Sequence, residues 1–296
     1  MQGRAGARGV MKEGATGGHE GLGILALASS PVVSVAEDAA IKDAVQVMAE
    51  KGFRRLPVVG REHMKVVGII TATDVLDYLG GGPKHELMAS KHGDDLAAAL
   101  SEPVLSIATR EVVCAKLDDK LEKAITLMVE ARVGGLPVVD EEGRLWAILT
   151  ERDVVKALAG RLTGAKVAEL MTPEPVVIGP DAAVLEAMRT MVSKGFRRLP
   201  VVGGPGELLG IITSMDVIRL LDRAVREGGL GPGVLKARVL DVCAREVVVV
   251  GPDEDVGKAA ELMEQHGIGG LPVVEPGTGR LVGIITERDF FKLLQR

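Results

Sequence analysis

Two kinds of apolar pattern alternate along most of this chain. Stretches such as Ala40–Gly52 (AIKDAVQVMAEKG) carry apolar residues at three- and four-residue spacing and end at a glycine, which predicts amphipathic helices. Short runs such as Leu56–Val59 are apolar throughout, which predicts strands that are covered on both faces. The first set of predicted elements is a strand at Val32–Val35, a helix at Ile41–Lys51, strands at Leu56–Val59 and Val66–Thr71, and a helix at Thr73–Leu79.

This order of strand, helix, strand, strand and helix occurs four times. Each copy contains Leu-Pro followed by two valines, and each ends in Thr-x-x-Asp after a second apolar run. The endings are GIITATD, AILTERD, GIITSMD and GIITERD. The first and third copies share FRRLPVV, whereas the second and fourth share GGLPVV and TERD. The repeats therefore predict an α+β protein made of two tandem pairs.

The composition shifts between the copies predict the domain limits. We expect a flexible Gly-rich tail at 1–21 and repeats at 22–80, 96–160, 165–222 and 237–296. A break of glycine and polar residues near Gly160–Gly164 divides the chain into modules at 22–160 and 165–296. The stretches around Gly80–Asp95 and Arg223–Lys236 are predicted to be Gly-rich connectors.

With these motifs in register, the chain closely resembles the CBS (cystathionine-β-synthase-type) domain family from about residue 22 onward. The resemblance implies four β-α-β-β-α units that pair through their strands into two pseudo-two-fold Bateman modules, packed as a flat disc. Proteins of this kind include the gamma subunit of the AMP-activated protein kinase and archaeal four-repeat proteins. The repeats use up the chain, so no attached kinase, dehydrogenase or transporter domain is expected.

Composition narrows the classes of function. The chain has 296 residues, a net charge of −5, 47% hydrophobic residues and 2% aromatic residues. The negative charge argues against general attraction to nucleic acid or anionic membranes, and the scarcity of aromatic rings argues against base-stacking surfaces. No apolar run reaches the roughly 18 residues that span a bilayer. Cys114 and Cys243 lie in apolar contexts and are predicted to be inert thiols, so we expect a cytoplasmic protein.

The Thr-x-x-Asp endings are the first candidate site. Such residues at a strand–helix junction are ordinary helix caps. Capping alone would let serine, asparagine and aspartate interchange, whereas here all four copies are identical. A carboxylate can accept both hydroxyls of a ribose, and a helix N-terminus favours phosphate. The resemblance implies ribose and phosphate contacts at Thr71, Asp74, Thr150, Asp153, Thr213, Asp216, Thr286 and Asp289.

Arginines form the second candidate group, because the two classes of repeat supply them at complementary places. Repeats 1 and 3 have two arginines before Leu-Pro, where repeats 2 and 4 have Gly-Gly, and repeats 2 and 4 have one arginine before the final aspartate. They are either solvated surface residues or a phosphate cradle at the centre of the disc, with the glycines leaving room for phosphate. The phosphate-binding candidates are Arg54, Arg55, Arg152, Arg197, Arg198 and Arg288.

A purine base would need a flat apolar slot. The helix of each repeat has an alanine at the same place, which either admits a purine edge or packs the helix against a sheet. In each repeat, the residue three positions before the leucine of the Leu-Pro motif could form an apolar wall of this slot. The base-pocket candidates are Ala44, Phe53, Ala124, Val133, Ala187, Phe196, Ala259 and Ile268. The resemblance also implies base-edge hydrogen bonds from the backbone around Ser34, Cys114, Val177 and Val249.

No catalytic pattern is found in the sequence. It contains no phosphate loop, dinucleotide fingerprint, HExxH or G-x-S-x-G motif, so we expect neither an enzyme nor a catalytic cofactor or metal site. The sequence predicts a regulatory sensor that binds AMP, ADP or ATP, at one to three sites per chain, and signals to an unidentified partner protein as a monomeric disc or a homodimer. The alternative is a CBS scaffold that binds S-adenosylmethionine or RNA.

Overall fold

A computed structural model describes residues 22–158, 164–231 and 233–294. The predicted tail at 1–21 and most of the predicted break at 160–164 lie outside these residues. Within them the chain forms four copies of one α+β unit, so the predicted fold class is confirmed.

The elements follow the repeats in order. Repeat 1 consists of β1 (Val35–Ala36), α1 (Ile41–Lys51), β2 (Arg55–Val59), β3 (Val66–Thr71) and α2 (Ala72–Gly80). Two further helices follow it, α3 (His85–His92) and α4 (Leu96–Leu100). Repeat 2 consists of β4 (Ala115–Lys116), α5 (Leu121–Glu130), β5 (Gly135–Val139), β6 (Leu145–Thr150) and α6 (Glu151–Leu158).

The second half follows the same order from the central helix of each repeat onward, but each of its repeats opens with a short helix. Repeat 3 consists of α7 (Val167–Leu170), β7 (Thr172–Pro173), α8 (Val184–Lys194), β8 (Arg198–Val202), β9 (Leu208–Thr213) and α9 (Ser214–Arg226). Repeat 4 consists of α10 (Val239–Val242), α11 (Val256–His266), β10 (Gly270–Val274), β11 (Leu281–Thr286) and α12 (Glu287–Leu294). Single 3-10 turns lie at Ile24–Ala26, Val104–Ser106, Gly204–Gly206 and Val234–Lys236.

The central helix of each repeat stops where its sequence predicts. Helix α1 ends because Gly52 adopts the left-handed conformation (φ 69°), and Gly195 and Gly267 end α8 and α11 in the same way. Repeat 2 differs, since Arg132 takes a left-handed φ of 54° just after α5. A side chain is seldom found in this conformation, so Arg132 is a notable departure from the repeat.

Three predicted segments differ from the structure. The predicted connector at 223–236 begins inside helix α9, which extends to Arg226, and it ends in a 3-10 turn. The predicted connector Gly80–Asp95 contains helix α3, and the Asp95 side chain caps α4 by accepting hydrogen bonds from the backbone N–H groups of Ala97 and Ala98. The predicted first strand Val32–Val35 is displaced, because β1 covers only Val35 and Ala36, which pair in parallel with β2. The chain just before it pairs elsewhere, because Ser29 forms an antiparallel bridge with Ile148 of repeat 2.

The two repeats of each module exchange their leading segments. Ser29 bridges to repeat 2, and Thr109 at the entry to repeat 2 bridges in turn to Ile69 of repeat 1. In the second half, β7 pairs with β11, and Ala244 bridges to Ile211. This reciprocity joins repeats 1 and 2 into a first module and repeats 3 and 4 into a second module.

Helices join the two modules. One hydrophobic core combines repeats 1 and 3, where α1 and α2 pack against α9 and α8, and a second core combines repeats 2 and 4. Ala44, Ala124, Ala187 and Ala259 are all 0% exposed inside these cores. All four therefore act as small packing residues within these cores.

Candidate functional site

Each Thr-x-x-Asp ending caps the start of its last helix, and in repeats 1 and 3 the cap is reciprocal. In repeat 1, the Thr71 backbone N–H and hydroxyl donate to Asp74 Oδ2 at 2.8 and 2.6 Å, and the Asp74 backbone N–H donates to Thr71 Oγ1 at 3.2 Å. The corresponding threonines bind Oδ2 of Asp153, Asp216 and Asp289 at 2.6 to 2.9 Å. The capping role is therefore real. It occupies Oδ2 and leaves Oδ1 of each aspartate for another partner.

In three repeats a cation binds that second oxygen. Arg219 Nη1 lies 3.0 Å from Asp216 Oδ1, and Lys292 Nζ lies 2.7 Å from Asp289 Oδ1. Asp74 is paired with Lys84, which precedes α3 and also donates to the Ile107 carbonyl at 2.6 Å. A ligand hydroxyl that seeks Oδ1 must share it with these cations.

The arginines converge on two buried glutamates. Glu151 Oε2 accepts from Arg197 Nη2 at 2.8 Å, and Glu151 Oε1 accepts from Arg288 Nε at 3.1 Å. Glu287 binds two arginines of the first module, with Nη2 of Arg54 at 3.0 Å and Nε of Arg152 at 3.2 Å. All four ion pairs join one module to the other, so the arginines lie at the junction of the modules.

The surroundings of the two glutamates favour their charged form. Both side chains are only 2% exposed, and burial alone would raise the pKa of each carboxyl. The surrounding arginines outweigh burial: they hold the pKa of Glu151 below its ordinary value and lower the pKa of Glu287 to about 2. Both groups are therefore carboxylates at neutral pH. From the sequence, the two glutamates suggest only a Mg²⁺ site with a triphosphate, which the adjacent arginine disfavours, and nothing local indicates their contacts with arginines of the other module.

Arg55 and Arg198 have a different environment. In the described part of the chain, neither has a carboxylate oxygen within 4.0 Å. Arg55 donates to the Gly134 carbonyl. Burial, together with the like charges of Arg197 and Arg54, lowers the pKa of both guanidinium groups. Two cations without a counter-ion at the module junction make it attractive to an anion.

The Gly-Gly pairs of repeats 2 and 4 make room for arginines rather than for phosphate. A Cβ atom on Gly134 would lie 2.7 Å from both Arg55 Nη2 and Glu151 Oε2, and 2.8 Å from Arg197 Nη1. On Gly269 it would lie 2.6 Å from Glu287 Oε2 and 2.8 Å from Arg54 Nη1. The space predicted for a ligand's phosphate is occupied by protein side chains, so any phosphate must bind on the other side of the guanidinium groups.

Three cavities open onto these arginines, and each contains one Thr-x-x-Asp ending. The cavity at Thr71 and Asp74 has a volume of about 310 Å³, that at Thr213 and Asp216 about 260 Å³, and that at Thr286 and Asp289 about 460 Å³. Arg197 lines all three cavities. The other five candidate arginines each line one or two of them: Arg54, Arg55, Arg152, Arg198 and Arg288.

The apolar side of each cavity comes from the other repeat of the same module. Val133 of repeat 2 lines the Asp74 cavity, Ile268 of repeat 4 lines the Asp216 cavity, and Phe196 of repeat 3 lines the Asp289 cavity. Phe53, Thr150 and Asp153 line none of these three, although the Phe53 ring is 42% exposed. Each cavity thus offers an apolar wall, a carboxylate and a set of cations in one cleft.

The backbone lining differs slightly from the prediction. The segments that line the cavities are 109–113, 172–176 and 244–248. The residues expected from the resemblance, Cys114, Val177 and Val249, each follow directly after one of these segments. The sequence also gave no indication that Arg132, with its left-handed backbone, lines the Asp74 cavity.

A family model described as "CBS domain" matches the chain four times, at residues 24–81, 104–160, 167–223 and 239–296. Protein MJ1225 of Methanocaldococcus jannaschii is 38% identical over 266 residues, which cover 88% of this chain and 94% of that protein. A protein in a ribosomal RNA operon of Thermofilum pendens is 34% identical over 270 residues, which cover 90% of this chain and 89% of that protein.

The crystal structure of MJ1225 shares the fold, with a TM-score of 0.86 at 37% identity, and covers 92% of this chain and all of that chain. MJ1225 is described as a proposed archaeal homologue of g-AMPK. Among the described residues, no helix is both long enough and apolar enough to cross a bilayer.

Proposed function

The chain belongs to the CBS domain family, and on that premise we propose that it is a non-catalytic regulatory sensor of adenine nucleotides. AMP, ADP or ATP would bind in the clefts between the paired repeats. CBS domain pairs are regulatory ligand-binding modules, and the family membership thus supports binding rather than catalysis.

One observation carries the proposal: six arginines from all four repeats meet at the module junction, beside three clefts that each end in Thr-x-x-Asp. A phosphate would bind the guanidinium groups, which form strong charge-assisted hydrogen bonds with phosphate oxygens. The ribose hydroxyls would donate to the aspartate, and the base would lie against the apolar wall supplied by the other repeat.

Signalling would follow from the position of the arginines. A ligand that contacts arginines of both modules can shift their relative packing, provided that it binds one arrangement more tightly than the other. A partner protein would then recognise the favoured arrangement. This role needs no chemical step, and it fits a chain whose described clefts converge on one junction.

The alternative ligand, S-adenosylmethionine, fits the charges less well. It carries a sulfonium and an ammonium cation, a single carboxylate and no phosphate, so its net charge is positive and it gains less from the guanidinium groups than a phosphorylated nucleotide does. RNA is disfavoured by the net charge of −5 and the scarcity of aromatic side chains.

Calorimetric titration of the full chain with AMP, ADP, ATP, adenosine and S-adenosylmethionine tests the proposal. We expect the phosphorylated nucleotides to bind more tightly than adenosine, at one to three sites per chain, and to displace S-adenosylmethionine in competition. If no nucleotide binds below about millimolar concentration, or if the phosphate-free ligands bind best, the proposal is wrong.

A further inference from the structure

The two buried glutamates contact the arginines of the junction but not the three cavities. Each accepts hydrogen bonds from two arginines of the opposite module. Neither glutamate lines the three cavities that contain a Thr-x-x-Asp ending, whereas all of the arginines do. A ligand in these cavities would therefore meet the guanidinium groups first, with the carboxylates behind them.

The charges at the junction can be compared. Six guanidinium groups share two buried carboxylates. The cavity aspartates Asp74, Asp216 and Asp289 each have a further cation of their own, so they do not balance these six arginines. A phosphate monoester carries about −1.5 to −2 at neutral pH. Phosphate in the cavities would therefore compete with the two glutamates for the same guanidinium groups, and a triphosphate would demand more of their charge than a monophosphate.

From this balance we infer that Glu151 and Glu287 are positioning residues that set which nucleotides the junction prefers. They hold Arg197 and Arg54 in reach of the cavities, and they limit the positive charge that remains for phosphate. The glutamates thereby favour nucleotides with fewer phosphate groups. This inference rests on the proposed nucleotide binding and adds the source of the selectivity.

The substitution Glu151→Gln separates charge from structure. Glutamine has nearly the same shape, and its carbonyl oxygen can still accept a hydrogen bond from Arg197, but its NH2 group cannot accept from Arg288 and one negative charge is lost. The added positive charge attracts a ligand in proportion to the ligand's own charge, so ATP should gain more than AMP. At low ionic strength we expect the ratio of the AMP to the ATP dissociation constant to rise at least about fivefold, and the effect to shrink as salt is added.

Three further variants complete the test. Glu287→Gln should reproduce the effect, because it occupies the equivalent place in the other module. Glu151→Asp keeps the charge on a shorter side chain, so all affinities should fall together with an unchanged ratio. Glu142→Gln is the matched control, since Glu142 also pairs with an arginine (Arg144, 3.0 Å) but lies exposed on a hairpin far from the cavities.

The outcomes are distinguishable. If the wild-type chain binds nucleotides, and both glutamine variants leave the ratio unchanged or weaken AMP and ATP equally, the glutamates are only structural and the inference is overturned. If Glu151→Gln does not fold, the ratio of the AMP to the ATP dissociation constant in Glu287→Gln decides whether the inference holds. If the wild-type chain binds no nucleotide at all, it is the proposed function that fails.

Discussion

The Glu151 carboxylate accepts a hydrogen bond from Arg197 Nη2 at 2.8 Å, although the two residues belong to different modules. The glutamate begins the last helix of repeat 2, and the arginine precedes strand β8 of repeat 3. With its counterpart between Arg54 and Glu287, this contact makes the candidate binding region part of the connection between the modules. Stability and ligand binding therefore depend on the same side chains.

Removing one partner of this buried pair should destabilise the fold. In Glu151→Ala, the mostly buried Arg197 and the half-exposed Arg288 lose their carboxylate. Removing one partner of a buried ion pair typically costs about 3–5 kcal/mol. Urea unfolding should show this loss in the free energy of unfolding. Glu142→Ala, which breaks an exposed ion pair, should change it by less than about 1 kcal/mol. Equal losses in the free energy of unfolding for Glu151→Ala and Glu142→Ala would show that the buried ion pair stabilises the fold no more than the exposed one.

Acid should weaken the junction in a defined pH range. The pKa of Glu287 is about 2 in the folded chain, against an ordinary value of 4.5, so its ionised form is favoured by folding. The stabilisation is complete above about pH 4.5 and is lost as the pH falls towards 2. The shift corresponds to about 3 kcal/mol. Urea unfolding between pH 7 and pH 3 measures this loss, which should be clearly smaller in Glu287→Gln than in the wild-type chain.

The aspartate of repeat 3 should be needed for ligand binding more than for folding. In Asp216→Asn, the side-chain carbonyl can still accept a hydrogen bond from the Thr213 backbone N–H, so the helix cap persists. The site loses a charged acceptor for a ribose hydroxyl, worth about 1.5–3 kcal/mol, or roughly 10- to 150-fold in affinity at that site. Calorimetric titration with AMP measures this loss of affinity. Asp241→Asn, on an exposed pair with Arg238, is the control and should bind as the wild-type chain does.

A methyl group on Gly134 should disturb the arginines selectively. Its Cβ would lie within 2.8 Å of atoms of Arg55, Glu151 and Arg197, all of which would have to move. We expect Gly134→Ala to weaken AMP binding several-fold and adenosine binding less, because adenosine lacks the phosphate that these arginines would hold. Gly179→Ala, where no atom lies within 4 Å of the added Cβ, should leave both affinities unchanged. Equal losses for AMP and adenosine would argue against a phosphate role.

The local features of the fold could be predicted well from the sequence. Helix α1 and strand β3 have the predicted limits, because apolar spacing and the terminal Gly52 determine them locally. The complementary placement of Arg54 and Arg152 also indicated a shared region, and the structure brings both onto Glu287.

The errors came from interactions between distant parts of the chain. Arg54 and Glu287 are 233 positions apart, and nothing local marks Glu287 as buried. The alanines were ambiguous for a similar reason, since only the packing of the helices decides whether Ala44 faces a ligand or a core. Helix α3 was missed because glycines around residues 80–82 suggested an irregular connection, while its stabilising contacts come from the preceding repeat, such as that between the His85 ring and the Tyr78 carbonyl.

The way the repeats pack bears on whether the two halves must belong to one chain in order to assemble. Among the described residues, strand pairs and bridges join repeats only within each half, whereas helices join the halves through two cores, one of repeats 1 and 3 and one of repeats 2 and 4. Either half alone would expose its apolar helix faces from both cores and a carboxylate without either of its cations. Two separately synthesised halves thus carry matching surfaces, and reassembly of a split chain would be driven by the same forces that hold the intact one together.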